Sequence, residues 1–188
     1  MPISSSNRCK WAYQNASMTL YHDDQWGIPN YDDQIFFEFI VLESAQAGLS
    51  WNTILQKRND YKIAYANFDP LKVSSFSQVD IELMLKNFNI VRNYKKIESS
   101  ISNANKFLEV QKVFGSFANF VWKFVSNKPV SHSINDPSQI PITIDESEKL
   151  YSTMKELGFK FFGPIITYSF MQAMGLVNDH ELSCFKRI

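Results

Sequence analysis

The sequence is short of most features that would send a chain to a special environment. Charge of one sign is not in excess: 19 Lys and Arg stand against 19 Asp and Glu in 188 residues, a formal net charge of zero. No global field then draws the chain to a polyanion, and any nucleic-acid binding must use a local patch. No apolar run reaches the ~20 residues of a membrane span, and the start Met1-Pro2-Ile3-Ser4-Ser5-Ser6-Asn7 lacks the apolar stretch of a secretion signal. These absences predict a cytoplasmic protein with no membrane partner, and a disordered tail over residues 1–7. Cysteine is scarce, with only Cys9 and Cys184. One long-range disulfide is arithmetically possible, but without a signal peptide reduced thiols are the expectation. Internal repeats, low-complexity tracts and sustained period-two alternation are also missing, which leaves repeat arrays and sheet-based folds without support.

What is present reads as a packed helical protein. Apolar residues make up 45% and aromatics 15%, with 16 Phe, and the length suits one helical domain over residues 1–188 or two closely packed lobes. From Asp32 a helix places Phe36, Phe39, Ile40, Glu43 and Ala47 on one stripe and stops at Gly48. Ser50 caps a second helix that runs to Asp69-Pro70, and Ser77 opens a third. Val91 to Val110 reads as a long amphipathic helix with Ile97, Ile101, Ala104 and Leu108 inward, followed by a short aromatic helix from Phe117 to Val125. Ser126 to Ile144, with three prolines, reads as a loop between packed lobes. Asp145, Glu146 and Glu148 then suit the first turn of a helix reaching Leu157, Gly158 stops it, and Gly163-Pro164 starts the last helix, ending near Gly175.

Four features could carry chemistry. Cys9, His22, His180 and Cys184 offer two thiolates and two imidazoles, a closed tetrahedral zinc set, with His180 and Cys184 at i and i+4 as on a helical turn. Spacing alone leaves that reading level with packed cysteines and surface histidines. Glu43 is a carboxylate on an apolar stripe, and such a group must find donors, raise its pKa or reach solvent or an arginine. Trp11, Tyr21, Trp26 and Trp51 lie close in sequence to these residues; aromatics are usually core, yet flat rings also stack bases and attract cations. Finally, Leu157-Gly158-Phe159-Lys160-Phe161-Phe162-Gly163 joins two helices by a tight turn, which is either an ordinary connection or a hairpin offering backbone N–H groups to a phosphate.

The strings RCKW, LYHDDQWG, LESAQAGLSW, GFKFFG and YSFMQAMGLVNDH, in that order from Arg8 to Cys184, resemble the bacterial 3-methyladenine DNA glycosylase I family. The resemblance implies an all-α fold of the helix-hairpin-helix glycosylase type, with one structural Zn2+ joining the N- and C-terminal segments through Cys9, His22, His180 and Cys184. It implies a base pocket of Glu43, Tyr21 and a stacking Trp51, flanked by Trp11 and Trp26, with DNA contacts at Gly158, Lys160 and Gly163. Asn15 to Leu20 departs from the family pattern, which often carries Asp-Pro and an aromatic there, so Met18 stands at the pocket rim in place of a ring.

The implied activity is excision of 3-methyladenine from double-stranded DNA by a monomeric, monofunctional glycosylase, with free 3-methyladenine as product and no strand cleavage. Asp179 is the only carboxylate between Gly163 and His180, where the wider superfamily that the chain resembles often places a catalytic Asp; standing beside a zinc ligand, it is read first as support for that ligand. Arg92, Lys95 and Lys96 are an additional source of positive charge or a solvated helix face. A zinc-clipped DNA-binding module without catalysis would need the hairpin but not Glu43. A zinc hydrolase would need an open metal position, which four protein ligands deny.

Overall fold

The computed structural model describes residues 7–187. Residues 1–6 of the expected tail lie outside them, while the carbonyl of Asn7 accepts the Phe185 N–H at 2.8 Å. Nine α-helices make up most of the described chain: α1 Ala16–Asp24, α2 Asp33–Gln46, α3 Trp51–Ala64, α4 Pro70–Ser74, α5 Gln78–Asn87, α6 Tyr94–Phe114, α7 Phe117–Trp122, α8 Asp145–Glu156 and α9 Pro164–Ala173. The fold is all-α, and α8 and α9 with the turn between them form the helix-hairpin-helix unit.

Short polar side chains set the helix starts. Asp32, Ser50, Ser77 and Asn93 each accept a backbone N–H in the first turn of α2, α3, α5 and α6, satisfying donors that have no partner inside the helix. Asn93 is why α6 begins at Tyr94 rather than Val91. It runs on to Phe114, where Gly115 at φ +82° stops it. Asp69-Pro70 does the opposite of what the sequence suggests. The second helix already stops at Ala64, three successive residues, Ala66, Asn67 and Phe68, turn through positive φ, and Asp69 caps α4 with Pro70 in its first turn. The aromatic helix is α-helical only to Trp122 and tightens to a 3-10 turn over Lys123–Val125. Sequence patterning also passed over the N-terminal 3-10 turn Lys10–Gln14 and α1.

The α2 helix is apolar all round rather than along one stripe. Phe37, Val41 and Leu42 are as buried as Phe36, Phe39 and Ile40, because α2 packs among α3, α6, α7 and α9 at the centre of the molecule. Phe107 of α6 and Phe117 of α7 stack beside it with centroids 4.3 Å apart.

Within the expected loop over 126–144, the two-residue strand β1 (Val130–Ser131) pairs in parallel with β2 (Val177–Asn178), and Ile134 bridges to Glu181. This strap holds the C-terminal segment against the body. Gly175, at φ +68°, makes the turn from α9 into β2, and a Cβ there would lie 2.2 Å from the Ile28 carbonyl carbon. Gly175→Ala must therefore displace backbone as well as adopt a strained φ. It is expected to cost about 3 kcal/mol or more, read as a drop in the urea midpoint without a change in slope.

Candidate active site and metal cluster

Cys9 lies just before the Lys10–Gln14 turn, His22 in α1, and His180 and Cys184 beyond β2. The last two do not sit on a helical turn. Glu181 takes part in the bridge to Ile134, and the Cys184 N–H closes a turn on the Glu181 carbonyl, so tight turns bring the two side chains together. The Glu181 carboxylate also accepts the Lys10 N–H at 2.7 Å, tying the two chain ends directly.

All four side chains are buried, and their ligand atoms lie within 4.8 Å of one another. Cys9 Sγ is 3.5 Å from His180 Nδ1, and Cys184 Sγ is 3.4 Å from His22 Nε2 and 3.6 Å from His180 Nδ1. A tetrahedron with metal–sulfur and metal–nitrogen lengths of about 2.3 and 2.0–2.1 Å has S···N edges of about 3.5–3.6 Å, so the donor set fits zinc. Its surroundings favour ligation. Backbone N–H groups of Glu181 and Lys186 point at the two sulfurs, as a thiolate requires. His22 Nδ1 is 2.8 Å from Asp23, itself held by Arg8, and His180 Nε2 is 3.2 Å from the Trp26 carbonyl, so the ring nitrogens that face the thiols are His180 Nδ1 and His22 Nε2, the latter approached by the Cys9 N–H at 3.3 Å. Burial pushes the Cys9 thiol up to about 12 and the His180 imidazole down to about 4, so a cation is what would make thiolates the favoured form. Gly27 passes His180 closely: at φ +72°, a Cβ would come 2.7 Å from its Nε2.

Asp179 does not support either histidine of the cluster. Its carboxyl, fully buried, accepts from the Tyr168 hydroxyl and the Gln172 amide and lies beside His132, whereas Asp23 and the Trp26 carbonyl hold the ring nitrogens. The chain leaves β2 without a helical turn at residues 179–180, and along extended backbone adjacent side chains leave on opposite sides.

A cavity of about 230 Å³ opens next to the cluster. Trp11, Tyr21, Trp26, Glu43 and Trp51 line it together, as does Met18. The rings brace one another: Tyr21 and Trp51 are 5.2 Å apart, and Trp11 meets Trp26 edge to face at 5.0 Å. Trp26 serves both places, since its ring lines the cavity and its carbonyl faces His180. Glu43 is 2 % exposed, and its Oε2 has no hydrogen-bond partner among the described residues. Burial alone raises its carboxyl to about 8. Tyr21 is held protonated, first by burial and then by the nearby Glu43 charge.

Gln46, Ile140, Ser169 and Gln172 complete the wall, and sequence reasoning missed all four. A signal existed for three. Gln46 lies one turn beyond Glu43, and Ser169 and Gln172 are polar positions one turn apart on the mostly apolar α9, a weaker form of the anomaly that singles out Glu43. Ile140 follows the 3-10 turn Pro137–Gln139 in the 126–144 segment, which no local pattern places here.

The hairpin between α8 and α9 bends at Gly158, φ +93°, and Phe161, φ +53°. Buried Asn103 of α6 clamps it, accepting the Lys160 N–H at 2.8 Å and donating to the Lys160 carbonyl at 2.9 Å. The Lys160 amide is thus used inside the protein, and its exposed side chain is what remains for an outside partner. The amides of Phe161, Phe162 and Gly163 have no protein acceptor among the described residues. Nor do Arg92, Lys95 and Lys96 form one solvated face: Lys96 Nζ donates to the Ala45 and Ala47 carbonyls and fastens the end of α2, while the other two are exposed. No helix among the described residues is long and apolar enough to cross a membrane.

Comparison with known proteins gives the same picture. Residues 11–187 match the methyladenine glycosylase family. DNA-3-methyladenine glycosylase 1 of Escherichia coli (strain K12) is 42% identical over 177 residues, covering 94% of this chain and 95% of the relative, and the DNA-3-methyladenine glycosylase of Haemophilus influenzae is 38% identical over 179 residues, covering 95% and 97%. Among solved structures, 3-methyladenine DNA glycosylase I of Staphylococcus aureus, studied for its recognition of 3-methyladenine, superposes with a TM-score of 0.92 at 35% identity over 97% of both chains. With a whole-length match in sequence and fold, this chain belongs to the methyladenine glycosylase family.

Proposed function

We propose that the protein excises 3-methyladenine from DNA by hydrolysing its N-glycosidic bond, and that Cys9, His22, His180 and Cys184 hold one structural Zn2+. The observation that carries the proposal is the Glu43 carboxyl, buried in an aromatic cavity with an oxygen that no protein donor reaches. Such a group is costly to the free protein and gains its partner from a ligand. Adenine methylated at N3 while still on deoxyribose is a cation carrying an amine, and it can supply both charge and donor.

The zinc, with four protein ligands, supplies structure and no open position for chemistry. The remaining work falls to side chains. The nucleotide is flipped into the cavity, the base lies against Trp51 and Tyr21, and Glu43, ionised by the arriving cation, accepts from its amine. The base departs neutral without needing a proton, and water adds to the oxocarbenium-like sugar. No lysine lines the cavity among the described residues, which supports simple hydrolysis without a Schiff base or strand cleavage. The amides of Phe161, Phe162 and Gly163, which have no protein acceptor among the described residues, and the exposed Lys160 side chain receive DNA phosphate beside the start of α9. A zinc-clipped module that only bound DNA would leave the orphaned Glu43 carboxyl without purpose.

The test is release of 3-methyladenine from methylated duplex DNA, with metal content measured on the same sample. Because burial raises Glu43 to about 8, kcat/KM for the free enzyme is expected to fall as pH drops below that value, where the carboxyl is protonated. Trp51→Ala is expected to lose about 1–3 kcal/mol of base affinity through stacking, with its metal retained. An enzyme that binds methylated DNA but releases no base would leave the non-catalytic module as the better reading.

A further inference from the structure

Gln172 lines the cavity from α9, and its side chain is not free to turn. Its Nε2 donates to Asp179 Oδ2 at 2.7 Å, and that same oxygen accepts the Tyr168 hydroxyl. The other carboxyl oxygen, Oδ1, lies 2.7 Å from His132 Nδ1. With a phenol O–H already donated to Oδ2, the carboxamide can approach that atom only by its NH2 end; reversing it would set oxygen against oxygen. The main chain is fixed as well, because the Gln172 carbonyl accepts the Gly27 N–H at 2.9 Å. Asp179 therefore settles which end of Gln172 is left over: Oε1, which has no protein donor among the described residues.

We propose that Gln172 is a specificity determinant of the cavity, its carbonyl oxygen, held in place by Asp179, accepting an N–H from the edge of the bound base so that an amino purine is chosen over an oxo purine. The inference rests on the proposed base-excision reading and adds to it a residue and a rule. Glu43 Oε2 and Gln46 Oε1 are buried and unpartnered, and Gln172 Oε1 makes a third acceptor in one wall. A base bearing an exocyclic amine brings donors to this set. One bearing an exocyclic oxygen brings a further acceptor and leaves buried oxygens facing each other, and sites built to bond a donor reject its absence strongly. Asp179 touches no base. It is a positioning residue, acting through Gln172, and its place in the turn after β2 is explained without the metal cluster.

The experiment measures inhibition of base release by 3-methyladenine and by 3-methylhypoxanthine, which carries oxygen in place of the amine, for the metal-loaded wild type, Gln172→Met, Asp179→Asn and the double variant. The wild type is expected to prefer the amine by roughly tenfold or more, and Gln172→Met to lower that ratio by at least about fivefold. Asp179→Asn offers either end to the carboxamide and is expected to lower the ratio too, with no further loss when combined with Gln172→Met, because it acts only through that side chain. A purely structural role would lower stability and weaken both inhibitors alike, leaving the ratio unmoved. Where Gln172→Met does not fold, the ratio in Asp179→Asn decides. An unchanged ratio in folded variants overturns this inference alone, whereas failure of the wild type to bind 3-methyladenine overturns the base-excision reading and this inference with it.

Discussion

Cys184→Ala is expected to lower stability by about 3–5 kcal/mol, a fall in melting temperature of roughly 10–15 °C for a chain of this length. The size follows from what the cluster joins. Cys9 and His22 stand at one end of the sequence and His180 and Cys184 at the other, and nothing in an unfolded chain holds them at the 3.4–3.6 Å separations seen here. Metal affinity gained on folding is then folding free energy, and removing one thiolate forfeits much of it. Chelation of the wild type should act in the same direction, and zinc added back should restore the transition. The strap formed by β1 and β2 and the Lys10 to Glu181 bond remain in the variant, so partial rather than complete unfolding is expected at room temperature. Because the Trp26 carbonyl faces His180 while its ring lines the cavity, base affinity should weaken secondarily. Metal-free protein with an unchanged melting curve would contradict the assignment of the cluster.

Glu43→Gln is expected to have opposite effects on activity and stability. Removing the charge that meets the cationic base should slow release of 3-methyladenine by about 1–3 kcal/mol of barrier, roughly five- to 150-fold, with fold and metal intact. The effect is bounded because the base is already activated as a leaving group. Stability should respond the other way. A carboxyl raised to about 8 in the folded chain carries no penalty below its unfolded value of about 4.5, where it is protonated in both states. As pH rises from there towards 8 the unfolded chain ionises first, and the wild type loses stability that the amide variant keeps. Around pH 8 the variant should exceed the wild type by up to about 4–5 kcal/mol, and by less than about 1 kcal/mol at pH 5. Equal pH dependence of the two melting temperatures would mean that Glu43 is not buried without partners in the free protein.

How much of this was legible in the sequence depended on how local the cause is. Helix starts were legible at Asp32, Ser50 and Ser77, because capping is decided within three or four residues. At Asp69-Pro70 the same chemistry misled, since a residue pair that ends one helix equally starts another, and the left-handed turn at Ala66 to Phe68 has no glycine to announce it. Glu43 stood out because a carboxylate breaks an apolar pattern. The cluster was legible as a set of residue types, while its closure depends on β1 meeting β2, a pairing of two residues too short for periodicity to show. Asp179 was misassigned for a related reason. Adjacency to His180 suggested a shared role, but backbone direction after β2 sends it towards Tyr168 and Gln172. Lys96 and Asn103, which fasten the end of α2 and the hairpin, bond to backbone oxygens and amides that no side-chain pattern reveals.

The central claim, that the Glu43-lined cavity receives the methylated base, is tested most directly by titrating free 3-methyladenine into the metal-loaded protein and following tryptophan fluorescence. Trp11, Trp26 and Trp51 all line the cavity, so a bound base should quench them saturably. The account predicts a saturable signal in the wild type and, above pH 8 where the Glu43 carboxyl is ionised, at least about fivefold weaker binding in Glu43→Gln at equal metal content, as loss of one charge-assisted contact requires. Equal affinity in the two proteins, or no saturable quenching in the wild type, would contradict it.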